Sequence, residues 1–273
     1  MREAAGSKGA ATVTPDPKGG ASRNRVVLVT GGTRGLGATI ARTFLALGAD
    51  VVVCGRKPPH LAAGEEDLPT FLPCDVRDPE QVDALVGNIV ERFGGLDIVV
   101  NNAGGSSYAE AATMSPRSFA KVVELNLVAP FYVAQRANQV MQAQAGGGVI
   151  VNIGSVASLR PPPGMAAYSA SKAGLASLTR TLAIEWAPAV RVNCITVGLV
   201  RTEDAVERYG SVEAVSQTIP LGRFAEPADV ANVCVMLASP EASYVTGADV
   251  AVDGGGEVPT FFFDMQRRGG ETG

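Results

Sequence analysis

From about Arg25 onward the apolar positions of this chain alternate between two rhythms. Short, β-branched runs at Val26 to Thr30, Val51 to Cys54, Phe71 to Cys74, Ile98 to Val100, Val149 to Ile153, Val190 to Ile195 and Val250 to Val252 read as strands. Between them lie stretches with helical spacing at 35 to 48, 79 to 93, 116 to 144, 166 to 187 and 227 to 238. The strand runs are apolar throughout instead of alternating with polar residues, so each is expected to be buried on both faces. That requires a mainly seven-stranded parallel sheet flanked by helices, an α/β doubly wound arrangement.

Boundary residues support these elements. Asp78 followed by Pro79 predicts a cap and a first-turn proline at the start of the 79 to 93 helix, and Glu226-Pro227 marks another start. Pro130 is expected to break or bend the long 116 to 144 segment. Residues 1 to 24, rich in Gly, Ala, Ser, Thr and Pro without an apolar period, read as a mobile tail outside the fold. Residues 25 to 273 are then read as one domain, within the size that a single α/β core can reach.

Composition narrows the function. Of 273 residues, 46% are hydrophobic and 18% charged, which fits a folded enzyme; the net charge of -4 argues against a nucleic-acid partner. No apolar run is long enough to span a membrane and the start lacks a secretory core, so a cytoplasmic location is expected. Cys54, Cys74, Cys194 and Cys234 have no metal-knuckle spacing and read as buried thiols, although Cys54 and Cys74 end consecutive strands and can approach each other. The single histidine, His60, sits in a loop beside Pro58-Pro59, which removes Ser-His-Asp chemistry and any multi-histidine metal site; no metal is expected.

Thr30-Gly31-Gly32-Thr33-Arg34-Gly35-Leu36-Gly37 lies between the first strand and the first helix, the context in which a glycine fingerprint signals a Rossmann-type dinucleotide site. Gly31, Gly35 and Gly37 allow tight turning and close backbone approach, with Thr33, Arg34 and Leu36 beside them, and the helix amides favour a pyrophosphate. The second strand ends in Gly55, where a carboxylate reading a free ribose 2′-hydroxyl would stand, followed by Arg56 and Lys57. Three cations around one strand end, counting Arg34, favour a 2′-phosphate and therefore NADP(H) over NAD(H). Asp75, followed by Val76, is placed to accept from the adenine amino group. Asn101-Asn102-Ala103-Gly104 supplies small residues and strand-bracing amides at the fourth strand end.

The chemistry is carried by Tyr168 and Lys172, four residues apart and so on one helix face, where the ammonium favours the ionised phenol. Ser155 stands thirteen residues earlier. With Asn126 in Glu-Leu-Asn-Leu and Val-Asp-Gly-Gly at 252 to 255, these motifs in this order resemble the short-chain dehydrogenase/reductase family, in its roughly 250-residue branch with 3-oxoacyl reductase-like members. The resemblance runs from about Arg25 to Gly255.

The resemblance implies that Tyr168 is the general acid and base, and that Ser155 holds the substrate oxygen. Lys172 binds the nicotinamide ribose, and Asn126 holds a water that relays protons from the lysine. It also implies cofactor contacts at Asn102, Ala103, Gly104, Gly198 and Thr202. One departure stands out: Val197 occupies the position before Gly198 where the family usually has proline.

Gly105 to Tyr108, Val156 to Pro163 and a loop with a short helix at 199 to 219 are expected to line the substrate. Their composition favours an apolar ketone or alcohol. The reading is an NADP(H)-dependent oxidoreductase acting on a 3-oxoacyl thioester or similar ketone. A steroid or other secondary alcohol is the alternative, and a non-catalytic NADP-binding sensor or scaffold the alternative of another class. The resemblance implies a homo-oligomer, dimer or tetramer, paired through helices such as 116 to 144 and 166 to 187, and the apolar Val258 to Phe263 is expected to cover the pocket or a neighbouring subunit.

Overall fold

The computed structural model describes residues 24–59, 68–202 and 211–259. The tail at 1 to 23, His60, residues 203 to 210 of the expected substrate loop and the aromatic run from residue 260 onward lie outside the described residues. Among those described, β1 (Val26–Thr30), β2 (Asp50–Gly55), β3 (Thr70–Pro73), β4 (Ile98–Asn101), β5 (Gly148–Ile153), β6 (Val190–Val197) and β7 (Asp249–Val252) form one sheet in the order β3-β2-β1-β4-β5-β6-β7. Every neighbouring pair is parallel.

The helices are α1 (Gly35–Ala46), α2 (Pro79–Phe93), α3 (Pro116–Val123), α4 (Ala129–Ala143), α5 (Ala166–Trp186), α6 (Val212–Ser216) and α7 (Pro227–Ala238). Because strand side chains alternate, β1 feeds two cores. Val26 and Leu28 pack with α2, α4 and α5 on one face, while Val27 and Val29 pack with α1 and α7 on the other. All four are fully buried, and burial of each such side chain contributes about 1.5–3 kcal/mol. The absence of a polar rhythm in the strand runs is thus the direct trace of a sheet covered on both sides.

Helix ends follow the sequence. Asp78 accepts from the amides of Glu80 and Gln81 at 3.0 and 3.3 Å, Pro79 opens α2, and Gly94 closes it in the left-handed conformation. The segment from 116 to 143 differs from the expected bend at Pro130, because the departure from α-helix begins earlier. Glu124–Val128 form a π-helical turn in which the Ala129 amide reaches back to the Glu124 carbonyl. Pro130 explains the position: it has no N–H to donate to the Asn126 carbonyl four residues back, and its ring would clash with that oxygen. Widening the helix by one residue removes the conflict.

Candidate active site

The chain leaves β1 and β4, which are neighbours in the sheet, towards opposite edges, so a crevice opens above their carboxyl ends. Its floor is held by a compact set of bonds. Thr30 Oγ1 accepts from the amides of Asn102 (3.1 Å) and Ala103 (3.0 Å), and Asn102 Nδ2 donates to the carbonyls of Thr30 (2.9 Å) and Gly31 (3.2 Å). The Gly31 amide donates to Cys54 at 2.9 Å, which ties the glycine turn to β2. A Cβ on Gly37 would lie 2.4 Å from both Asn102 Nδ2 and the Gly31 carbonyl oxygen, so only glycine lets α1 start this close to the turn. The α1 N-terminus has no side-chain cap bond and no acidic residue in its first turn, which leaves its dipole and amides suited to an anion.

Arg34, Arg56 and Lys57 are exposed at this end of the crevice. A Cβ on Gly55 would make ordinary contact with Thr33 Cγ2 at 3.4 Å, so glycine is not imposed there by crowding. Asp75 is clamped by Arg77, whose Nη2 lies 2.5 Å from Asp75 Oδ2 and whose Nε donates to Oδ1 at 2.9 Å. That guanidinium holds the Asp75 carboxyl below the usual range, with Arg56 adding a smaller pull. The neighbouring Val76 is buried. The expected approach of Cys54 and Cys74 is realised: both are buried free thiols, and their mutual hydrogen bond, helped by burial, pushes Cys54 well up.

At the other end, α5 carries Tyr168 and Lys172 on one face, and the Lys172 ammonium lies 5.6 Å from the Tyr168 ring centre. Lys172 is 3% exposed and donates to the Ile153 carbonyl at 2.7 Å. Burial lowers it to about 8. Ile153 is the last residue of β5, and two residues later Ser155 begins a single 3₁₀ turn, its Oγ accepting from the Ala157 amide at 3.2 Å. Asn126 is fully buried in the π-helical turn. Its Oδ1 accepts from the Gly105 amide and its Nδ2 donates to the Gly105 carbonyl, both at 2.9 Å, with a further bond to the Val122 carbonyl.

Gly104 brings these groups together. A Cβ there would lie 2.8 Å from Asn126 Oδ1 and 3.4 Å from Lys172 Nζ, so the amide and the ammonium face the same small space at the end of β4. The arrangement couples a phenol to a buried cation seated on the end of β5, two residues before the Ser155 hydroxyl, and these are the groups that proton transfer to a carbonyl or from an alcohol requires.

β6 continues through Val197, which pairs with Val252, and the Gly198 amide donates to the Val252 carbonyl at 3.0 Å. Valine in place of proline is therefore accommodated as the last ladder residue. Beyond it, Arg201 donates through its amide to the Ala225 carbonyl at 2.8 Å, with Thr202 next in the chain. Sequence reasoning gave Thr30, Gly32 and Ile153 no bracing role. Thr30 clamps two amides, Gly32 packs so closely on Val53 that a Cβ would lie 2.5 Å from its Cγ1, and the Ile153 carbonyl seats the lysine. A buried threonine at a strand end was the available signal for the first; a backbone carbonyl leaves no trace in the sequence.

Comparison with known proteins agrees with this geometry. A family model described as enoyl-(acyl carrier protein) reductase matches residues 31–257. The chain is 38% identical over 242 residues to a 3alpha-hydroxysteroid dehydrogenase of Mediterraneibacter gnavus, covering 85% of this chain and 96% of the relative. It is 39% identical over 244 residues to 3beta-hydroxysteroid dehydrogenase 1 of Eggerthella lenta, covering 85% and 94%. The ligand-free aldohexose dehydrogenase of Thermoplasma acidophilum superposes with a TM-score of 0.78 at 30% identity, covering 85% of this chain and 94% of that one. The sheet order, the Asn126, Ser155, Tyr168 and Lys172 set and these identities lead to one assignment: the chain belongs to the short-chain dehydrogenase/reductase family, and is an oxidoreductase that works with a nicotinamide cofactor.

Proposed function

We propose that the protein interconverts a secondary alcohol and a ketone on a bulky, uncharged, apolar skeleton, with NADP(H) as cofactor. The observation that carries this is the convergence of Asn126 and Lys172 on the space over Gly104, with Lys172 beside Tyr168. A cofactor fits the crevice: glycines line its turn, α1 offers its uncapped N-terminus, and the exposed Arg34, Arg56 and Lys57 at the end of the glycine turn and of β2 would favour a 2′-phosphate. When bound, the cofactor supplies or accepts a hydride.

The residues of the chain do the rest. Tyr168 gives its proton to the carbonyl oxygen in reduction and takes it back in oxidation. Lys172, still largely protonated at neutral pH with a value of about 8, favours the phenolate. Ser155 donates to the substrate oxygen and fixes its distance from Tyr168. Asn126 spends both ends of its amide on Gly105, so its role is to hold the 104–105 backbone and the wide helical turn in place beside the lysine.

The skeleton is read from the rim. Tyr108 and Leu159 are 68% and 62% exposed on two of the segments expected to border the substrate, and Leu221, 68% exposed, stands two residues beyond the third. Arg160 and Arg201, the cations on these segments among the described residues, are paired with Asp253, Glu257 and Glu226. Among the described residues, an apolar rim whose cations are paired suits a hydroxysteroid-like ring system better than an acidic carrier or a phosphate-bearing tail. A 3-oxoacyl thioester remains the second reading, supported by the apolar walls and by the acyl-carrier description of the matching family model.

Purified protein should be assayed with NADPH and NADH against ketosteroids, 3-oxoacyl thioesters and aldohexoses. Turnover of ketosteroids with preference for NADPH supports the reading; turnover confined to thioesters or sugars sinks the skeleton argument. We also infer a homo-oligomer, since Phe119 on α3 and Ile184 on α5 are 43% and 80% exposed, on the helices expected to pair. A monomer by light scattering would refute the oligomer.

A further inference from the structure

Arg160 makes three charged contacts at the edge of the site that the proton-transfer chemistry does not use. Its Nη2 lies 3.0 Å from Asp253 Oδ2 and 2.9 Å from Glu257 Oε2, and its Nε donates to Glu257 Oε2 at 3.0 Å. Arg160 closes the turn that Ser155 opens: its amide donates to the Val156 carbonyl at 2.8 Å, and the Leu159 amide donates to the same oxygen at 2.9 Å. The acceptors stand on either side of Gly254, Gly255 and Gly256, three successive residues with φ of 66°, 96° and 78°. No other residue type adopts such a run readily, and it curls the chain so that Asp253 and Glu257 flank one guanidinium. The guanidinium lies flat on Gly256, where a Cβ would meet Nη2 at 2.8 Å.

The same glycine run grips the far side of the substrate wall. Gly254 and Gly255 pack against Ile219 and Pro220, the Leu221 amide donates to the Gly254 carbonyl at 3.1 Å, and the Val258 amide donates to the Thr218 carbonyl at 2.7 Å. Three segments distant in sequence thus meet around the glycine run: the Ser155 turn reaches it through the Arg160 guanidinium, and the 218–222 stretch that follows α6 through backbone bonds to Gly254 and Val258.

We infer that Arg160 is a positioning residue, whose ion triad with Asp253 and Glu257 latches the Ser155 turn to the C-terminal segment and so fixes the substrate wall at 218–222. The Arg160 side chain is 40% exposed, so the triad adds little to global stability. Its effect is local. Releasing it lets the wall and the serine turn move independently, which weakens the hold on a large substrate before it touches proton transfer. This rests on the proposed role of Ser155 and of the apolar rim, and it places substrate fit under the control of a residue that does not contact the reacting atoms.

The test compares Arg160→Gln, Arg160→Lys and Asp253→Asn in the full chain. In hydrogen exchange, the Leu159, Arg160, Leu221 and Val258 amides should lose protection together in Arg160→Gln and Asp253→Asn, while the melting temperature stays within about 2 °C of the parent. In kinetics, Arg160→Gln should raise KM for a ketosteroid about tenfold with kcat changed less than about threefold and NADPH affinity unchanged, and Arg160→Lys should recover part of the loss. Unchanged exchange at Leu221 and Val258 overturns the latch, as does an unchanged KM. If the parent turns over no ketosteroid, the substrate reading fails, and the exchange measurement still decides the latch by itself.

Discussion

The Lys172 ammonium donates to the Ile153 carbonyl at 2.7 Å from a position that solvent scarcely reaches. Burial costs the charged form, and the group falls from an ordinary 10.5 to about 8. The folded chain therefore releases this proton earlier than the unfolded chain. Between about pH 8 and 10.5 the unfolded state binds more protons at this site, so the lysine makes stability rise with pH, by at most about 1.4 kcal/mol per unit. The buried thiols Cys194 and Cys234, pushed up to about 12, act in the opposite sense over part of that range. The expected signature is thus a difference: denaturant unfolding of cofactor-free protein minus that of Lys172→Met should show the rise between pH 8 and 10.5. A flat difference would mean that the lysine keeps its proton in the fold.

Removing the Tyr168 hydroxyl would leave the ring in place while deleting the proton that the proposed chemistry moves. Tyr168→Phe is expected to lower kcat by about 10²–10⁴, the usual scale for a positioned acid or base, with NADPH affinity close to the parent. Single-turnover kinetics beside a fluorescence titration of the cofactor would measure both. A variant with retained kcat would assign the proton to another group.

Gly55 has room for a side chain, since a Cβ there meets Thr33 and the Lys57 carbonyl oxygen at no less than ordinary contact distance. Gly55→Asp is therefore expected to fold normally and to turn cofactor preference from NADPH towards NADH, because its carboxylate would accept from a free 2′-hydroxyl and repel a phosphate. Arg56→Ala alone should erase much of the NADPH advantage. Equal affinity of the unmodified protein for the two cofactors would end the phosphate argument.

Pro130→Ala restores an amide that can reach the Asn126 carbonyl and removes the ring that forbids ordinary helix there. The π-helical turn then loses the reason for its position, and the reciprocal bonds between Asn126 and Gly105 loosen. Activity is expected to fall by about tenfold or more with little change in melting temperature. Full activity would show that packing of the turn against α5, rather than the proline, holds it open.

How legible the molecule was in its sequence depends on what kind of interaction decides each feature. The seven strands appear because a sheet buried on both sides leaves unbroken apolar runs, and α2 appears because Asp78 and Pro79 are local signals. Cys54 and Cys74 were legible as neighbours because consecutive strands of such a sheet lie side by side. The π-helical turn was legible only as trouble near Pro130, since its start at Glu124 depends on which carbonyl the ring meets four residues earlier. Thr30 and the Ile153 carbonyl were silent: one looks like any strand-end threonine, the other is backbone, and both act through contacts at long sequence separation. Arg160 read only as part of the Val156 to Pro163 substrate border, and its partners nearly a hundred residues away were beyond any local pattern.

The wide turn between α3 and α4 carries one residue more than an α-helix would, and each residue advances the side chains by about 100° around the axis. The two helices are therefore out of phase, like two dials on one shaft set at different hours. Val133, Ala134, Ala137 and Met141 aim α4 at the core, while Asn126 is aimed by the turn alone. The core-facing side of α4 can be rebuilt with larger or smaller residues without turning the asparagine. Conversely, deleting one of Glu124, Leu125, Leu127 or Val128 would bring the dials into step and swing Asn126 off Gly105, leaving the sheet and both cores formed around an idle site.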